Sequence, residues 1–349
     1  RDRNLAFAIF GIVAGTGAAI GLLLGGVLTE FANWRWRLLV NVFFVAVGLI
    51  AGAILLRESR AEGNNRYDWW GAFTVTLGIG SLVYGFTLAE RGWTKIDTVS
   101  FIAVGIALLI AFVLIEQRVK QPLLPLRVIA NRVRGGAVLI QAVIGAVMIG
   151  SMLYLTFYFQ IVMGMGPLVA GFANLAMTVV ILAFSPVTTM LLNRFGPRPL
   201  MIGGPLLAAA GLLALLRITP AGNYFTEVLP ALVVLGIGMS MLFVPIQNLA
   251  LTGVDPEDAG VASAAVNSAF HIGGSIGLAL FTVLYASTAA TALDGGATQA
   301  LAFTEGYKAA FLASGVAMLI AAAIGFFMIK GTRAQLMPAR EDEYAGATE

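Results

Sequence analysis

Gly17-Ala18-Ala19-Ile20-Gly21-Leu22-Leu23-Leu24-Gly25-Gly26, closed a little further on by Trp34-Arg35-Trp36, is the stretch on which the reading of this chain turns. On a helix, glycines at 17, 21 and 25 share one face, because residues four apart are neighbours. A glycine costs about 1 kcal/mol against alanine inside a helix, so three in register need a compensating gain. In a bilayer that gain is the close backbone approach of a second helix, the small-xxx-small arrangement. Gly11 and Gly15 add a second small track to the same helix. Two readings of the face stand at this point: ordinary helix packing, or a contact that slides or hinges as the protein works.

Composition says what surrounds that helix. The 349-residue chain is 59% hydrophobic and 11% charged, with a mean hydropathy of +0.91. A soluble domain carries about 25% charged residues, so this is the composition of an integral membrane protein. Cysteine is absent, which excludes disulfides and thiolate metal sites. The net charge of +3 is not gathered into a basic face, so no nucleic-acid partner is expected. The sequence begins at Arg1, without an initiator Met, and its first apolar run starts at Leu5, which reads as a fragment lacking an N-terminal part.

A membrane-crossing helix needs about 20 mostly apolar residues. Ten such runs are legible: Leu5–Leu28, Leu38–Leu56, Trp69–Leu88, Ser100–Ile115, Ala137–Tyr158, Val169–Leu192, Leu200–Leu216, Val228–Pro245, Ala259–Ala286 and Tyr307–Ile329. Short charged connections join them, and strands are not expected because an open sheet edge cannot be satisfied in lipid. Alternating sides at each run puts Arg35, Arg37, Arg91, Lys95, Arg217 and Lys308 opposite Arg1. The other fifteen of the 21 basic residues share the side of Arg1, which the positive-inside rule makes cytoplasmic. Both visible ends are therefore expected inside, on a multi-pass protein of the cell (inner) membrane. The basic connection Glu116–Arg134 reads either as an amphipathic linker on the inner surface or as a plain loop.

The glycine stretch resembles the antiporter motif of the fifth helix in major facilitator drug exporters. Trp34-Arg35-Trp36 with Asn41-Val42 resembles the signature that follows it in the fourteen-helix drug:proton antiporters of the EmrB/QacA type. Asp68-Trp69-Trp70-Gly71 is similar to the entry of that family's seventh helix, and Pro122 to Arg132 to its central loop. Tyr158-Phe159-Gln160 with Gly164, Pro167 and Gly171 resembles the turn after the ninth helix. Asn193-Arg194-Phe195-Gly196-Pro197-Arg198 is a degenerate copy of the superfamily's D-R-x-G-R-R loop, and Gly260 to Gly277 resembles the thirteenth helix. Two positions depart from the pattern: Leu22 stands for the motif's proline, and Phe43 for a proline often found after the Asn41-Val42 step. Without a proline, the fifth helix is expected to run straighter.

The resemblance implies an all-α polytopic membrane protein with a major facilitator fold, about ten of its fourteen transmembrane helices being present. By that mapping residues 1–56 are the last two helices of an N-terminal bundle and 57–115 an extra central pair. Residues 116–135 are then a cytoplasmic linker, 136–329 the C-terminal six-helix bundle and 330–349 a disordered tail. It further implies secondary active export of hydrophobic or cationic drug-like compounds by proton antiport, with the proton gradient as energy source and no cofactor. The partners would be small hydrophobic substrates, protons and the lipid bilayer, and the protein a monomer. Gly17, Gly21, Gly25 and Gly26 would form the antiporter-type face, and Arg194, Gly196 and Arg198 a cytoplasmic gating loop. A dedicated exporter of one endogenous metabolite or lipid-like molecule remains open, as does a non-transporting scaffold or inactive fragment.

The residues themselves supply candidates for a substrate cavity. No aspartate or glutamate falls near the centre of any run, so a proton-carrying carboxylate is expected upstream of this sequence. His271, the only histidine, lies in a polar stripe with Ser263, Asn267 and Ser275. It reads as a hydrogen-bonded packing residue or as a cavity-facing, proton-sensitive one, since histidine titrates between pH 5 and 8. Ser151, Tyr154 and Tyr158 share a face with Met148 on its edge, which suits an aromatic or apolar substrate, although Tyr158 also reads as an interfacial anchor. Asn174 and Thr178 make a second polar patch, cavity lining or interhelical glue. Asp68 reads as a helix N-cap, and Trp69 and Trp70 as interfacial anchors. No P-loop, metal-ligand spacing or catalytic triad is legible, so neither an ATP-driven pump, a metal centre nor an enzyme is expected.

Overall fold

A computed structural model describes residues 17, 21, 24–29, 31, 33–55, 68–89, 92–119, 130–251, 254, 259–331 and 336. Most of the run Leu5–Leu28, with Leu22 in it, lies outside the described residues, as do most of the expected linker and tail. Gly17, Gly21 and residues 24–29 are helical. Beyond them, nine helices among the described residues are long and apolar enough to cross a membrane. We number them α1 (Trp34–Leu55), α2 (Trp69–Leu88), α3 (Ile96–Glu116), α4 (Arg132–Phe157), α5 (Pro167–Phe195), α6 (Pro197–Ala214), α7 (Leu229–Leu251), α8 (Ala259–Asp294) and α9 (Gln299–Met328). The described residues contain no strand. This is a multi-pass α-helical membrane protein.

Local chemistry sets where the helices begin. Asp68 caps α2 by accepting the Gly71 N–H on Oδ1 at 2.8 Å, as its position in the sequence suggests. Asn131 does the same for α4, accepting from Val133 at 3.0 Å and Arg134 at 3.3 Å. Pro167 and Pro197 open α5 and α6 at positions where a missing N–H costs nothing. Only Gly196 separates those two helices, and its φ of 79° lies where side chains other than glycine are strained.

The helices run past the apolar windows read from sequence. At 36 residues α8 is about 54 Å long, well over the ~30 Å of a hydrocarbon core. The start of α9 is Gln299 rather than Tyr307, because Glu305 and Lys308 pair at 2.8 Å along the helix and let a charged turn stay helical. In α7 the helix continues through Pro245 to Leu251.

The buried core lies among α4 to α9, with Ile140, Ile144, Tyr158, Met201, Leu212, Leu235 and Phe311 fully enclosed. Small residues let these helices approach. A Cβ at Gly145 would run into the Phe270 carbonyl, and one at Gly273 into the Ala142 carbonyl, so α4 and α8 meet backbone to backbone. In the same way α2 and α3 pair through Gly78 and Gly105; a Cβ at Gly105 would lie 2.8 Å from the Leu82 nitrogen. By contrast α1 has no buried residue among those described.

Candidate functional site

A cavity of about 430 Å³ opens where α2, α4 and α8 converge. Val83 and Thr87 line it from α2; Leu153, Tyr154 and Phe157 from α4; Ser275, Leu278, Ala279, Thr282 and Tyr285 from α8. The α2 and α4 residues stand in the last turns of their helices, so the cavity lies at the end of the bundle away from Arg132 and Trp69. Its volume falls in the range of drug-sized ligand sites, about 300–1,000 Å³. Among the described residues no charged side chain contributes to the wall.

A cluster of three tyrosine rings backs the cavity. Tyr285 packs on Tyr154 at 5.6 Å and 29° and on Tyr307 at 5.0 Å and 18°, and Tyr154 and Tyr307 meet at 6.1 Å, tilted by 45°. Tyr154 is buried and donates its hydroxyl to Thr282 Oγ1 at 2.7 Å, which ties α4 to α8 at the cavity wall. Tyr158, expected at the membrane interface, is instead fully buried in a π-turn, Tyr158–Val162. Its hydroxyl donates to the Thr219 carbonyl at 2.8 Å. That partner comes from a distant loop, so the sequence near Tyr158 carries no sign of it.

Of the candidate cavity residues, Tyr154 alone lines this cavity. Met148 is half-buried against the helical core. Ser151 is buried and donates back to the Val147 carbonyl at 2.5 Å. Asn174 is buried, with Nδ2 donating to Thr156 Oγ1 and to the Ala170 carbonyl, both at 3.1 Å, an interhelical arrangement. Thr178 is buried on the same helix. Asn267 and His271 are exposed on α8, on the stripe that reaches Ser275 at the cavity rim. Asn267 donates to the Ser263 carbonyl at 3.1 Å, and the His271 ring stands edge-on to Phe270.

Thr282 and Tyr285 escaped the sequence reading, although Thr282 continues the α8 stripe seven residues beyond Ser275. Nothing in the sequence marks Val83 and Thr87, because α2 sets its few hydroxyls, Thr74, Thr76, Ser81 and Thr87, on more than one side of an otherwise apolar helix.

The glycine face splits. Gly26 is buried, and a Cβ there would lie 3.1 Å from Leu168 Cα and 3.3 Å from the Pro167 carbonyl, against the start of α5. Gly25 is buried as well, its carbonyl accepting from Thr29 Oγ1 at 2.7 Å. Gly17 and Gly21 meet nothing within 4 Å among the described residues. At the α5–α6 junction Arg194 is exposed, with its guanidinium 5.2 Å from the Phe195 ring centroid. Gly196 is buried and Arg198 half-buried. Among the described residues no three His, Asp or Glu side chains are placed to hold a metal ion.

Residues 1–278 match the family model described as Major Facilitator Superfamily. The chain is similar to a puromycin resistance protein of Streptomyces alboniger, 37% identical over 94% of this chain and 67% of that protein. It is also similar to a tetracenomycin C resistance and export protein of Streptomyces glaucescens, 30% identical over 81% of this chain and 53% of that one. A cephamycin export protein of Amycolatopsis lactamdurans is 32% identical over 82% of this chain and 60% of its own length. The chain thus spans between roughly half and two thirds of these relatives.

Proposed function

Because this chain belongs to the Major Facilitator Superfamily, we propose that it acts in the export of hydrophobic drug-like compounds driven by proton exchange, as part of a fourteen-helix transporter. The observation that carries the reading is the uncharged, aromatic-backed cavity among α2, α4 and α8, which suits a poorly specified apolar substrate. Relatives named for resistance to, or export of, three different antibiotics support it.

On this reading α1 and the glycine helix before it belong to an N-terminal bundle, and the bareness of α1 reflects helices of that bundle. Both ends of the chain face the cytoplasm. The two bundles rock about a site between them, and the contact of Gly26 with Leu168 is one that shifts as they do. The Arg194–Arg198 junction steadies one of the two states from the cytoplasmic side. The proton carrier lies in the N-terminal bundle on this reading, in keeping with a cavity wall that holds no carboxylate among the described residues.

A growth panel tests the assignment. Susceptible cells expressing the protein are challenged with structurally unrelated apolar antibiotics, with and without Tyr154→Ala. Resistance to several compounds, lost together in the variant, is the expected result. Resistance to a single compound favours a dedicated exporter, and resistance to none counts against export.

A further inference from the structure

Five hydroxyl groups stand on the cavity wall, and four have their proton committed to the protein. Thr87 Oγ1 donates to the Val83 carbonyl at 2.9 Å, Ser275 Oγ to the His271 carbonyl at 3.0 Å, and Thr282 Oγ1 to the Leu278 carbonyl at 2.8 Å. Tyr154 donates to Thr282 at 2.7 Å. The fifth hydroxyl, on half-buried Tyr285, makes no hydrogen bond among the described residues. Behind it lies the ring of Tyr307, 5.0 Å away and 18° from parallel. Tyr307 is fully buried, and its hydroxyl too has no partner among the described residues. The neighbouring hydroxyls that act on it are those of Tyr285 first and Tyr154 second.

From this pair of unspent protons we infer that Tyr285 recognises a carbonyl or quinone oxygen on an otherwise apolar ligand, and that Tyr307 is the positioning residue behind it. The argument is one of direction. A hydroxyl carries one proton and can accept as well. An enclosed hydroxyl that pairs with nothing has given up its water without return, and the oxygen best placed to accept from Tyr307 is that of Tyr285, whose ring lies nearer and flatter on it than the ring of Tyr154 does. Once Tyr307 donates there, the Tyr285 proton is left to point into the cavity, where an acceptor oxygen of the ligand takes it. Hydrogen bonds in a chain polarise one another, so the inner bond strengthens the outer. Val83, Leu153, Phe157, Leu278 and Ala279 supply apolar contact for the rest of such a ligand. A carboxylate fits less well, because one neutral donor does not replace the water that a charge loses. The inference rests on the export reading for its place in transport, though binding itself needs no gradient.

The test is equilibrium dialysis of the purified full chain in detergent against two probes of one shape, 2-acetylnaphthalene and 2-isopropenylnaphthalene, which differ by a methylene in place of the oxygen. The ketone should bind tighter by about fivefold, the worth of one neutral hydrogen bond. Tyr285→Phe keeps the ring and removes the proton, so it should lower the ketone to the affinity of the hydrocarbon and leave the hydrocarbon as it was. Isotope-edited infrared difference spectra of the bound ketone, carbon-13 against carbon-12 at the carbonyl, give a readout that packing alone does not move. The carbonyl stretch should rise in Tyr285→Phe as its hydrogen bond is lost, and rise by a smaller step in Tyr307→Phe as that bond is weakened. Equal affinity for the two probes in the unmodified protein overturns the inference, as does absence of ketone binding. So does a carbonyl band left in place by either phenylalanine variant. Ketone preference in a protein whose cells show no export would fail the transport reading alone; export with equal probe affinities would fail this one alone.

Discussion

At Asp68 the carboxylate does two things within one turn. Oδ1 caps α2 through the Gly71 N–H, and the side chain occupies the space a Cβ at residue 71 would need. Glu116 Oε1 closes that space from α3, 3.1 Å from the same point. Replacing a helical glycine by alanine should stabilise by about 1 kcal/mol on propensity alone. Here we expect the opposite sign: Gly71→Ala displaces the cap, worth about 1 kcal/mol, and lowers the thermal unfolding midpoint. A raised midpoint would show that the crowding relaxes without cost. His271 gives a second prediction at this scale, since it is exposed on the stripe that leads to the cavity rim. His271→Gln should keep export, and His271→Leu should reduce it; transport by the leucine variant equal to the unmodified protein would make the residue a spectator. The cap of α2 was legible because capping is a local event, settled within four residues. Burial of Tyr158 was not, because its partner Thr219 is brought to it by the fold.

Helices in lipid associate through close packing, without the hydrophobic drive that assembles a soluble core. The α4–α8 seam shows how little tolerance that leaves, with Gly145 and Gly273 each set against the other helix's backbone. Gly273→Val must push the helices apart, and overpacking of this kind costs typically about 1–3 kcal/mol. We expect a lower unfolding midpoint in detergent and loss of the Tyr154–Thr282 hydrogen bond, read as a change in tyrosine ultraviolet resonance Raman bands. The glycine stretch before α1 gives a graded prediction. Gly26→Val should suppress export while the protein still accumulates in the membrane, because Leu168 Cα stands 3.1 Å from the added carbon. Gly17→Val, which meets nothing among the described residues, should be milder. Equal loss in both would assign the whole face one packing role. The helices themselves were plain in the hydropathy, but their ends were not: α9 carries an ion-paired turn that an apolar window rejects.

The molecule is a multi-pass helical membrane protein whose described core sits in α4 to α9, with α2 and α3 paired at its side. Family and helix succession were readable because order and spacing of weak motifs accumulate along a chain. The cavity was readable only on its α4 face, where Tyr154 stood out. Its α2 wall depends on how a largely apolar helix rotates against its neighbours, and no residue pattern records that. Energy coupling belongs to the same scale, since it requires two arrangements of bundles and a proton site linking them. The most direct measurement is the steady-state accumulation of an exported antibiotic in cells carrying the complete transporter, before and after a protonophore collapses the gradient. Proton-driven export predicts low accumulation that rises to the level of non-expressing cells once the gradient is gone. Accumulation that stays low without a gradient, in cells whose ATP is maintained, would contradict it.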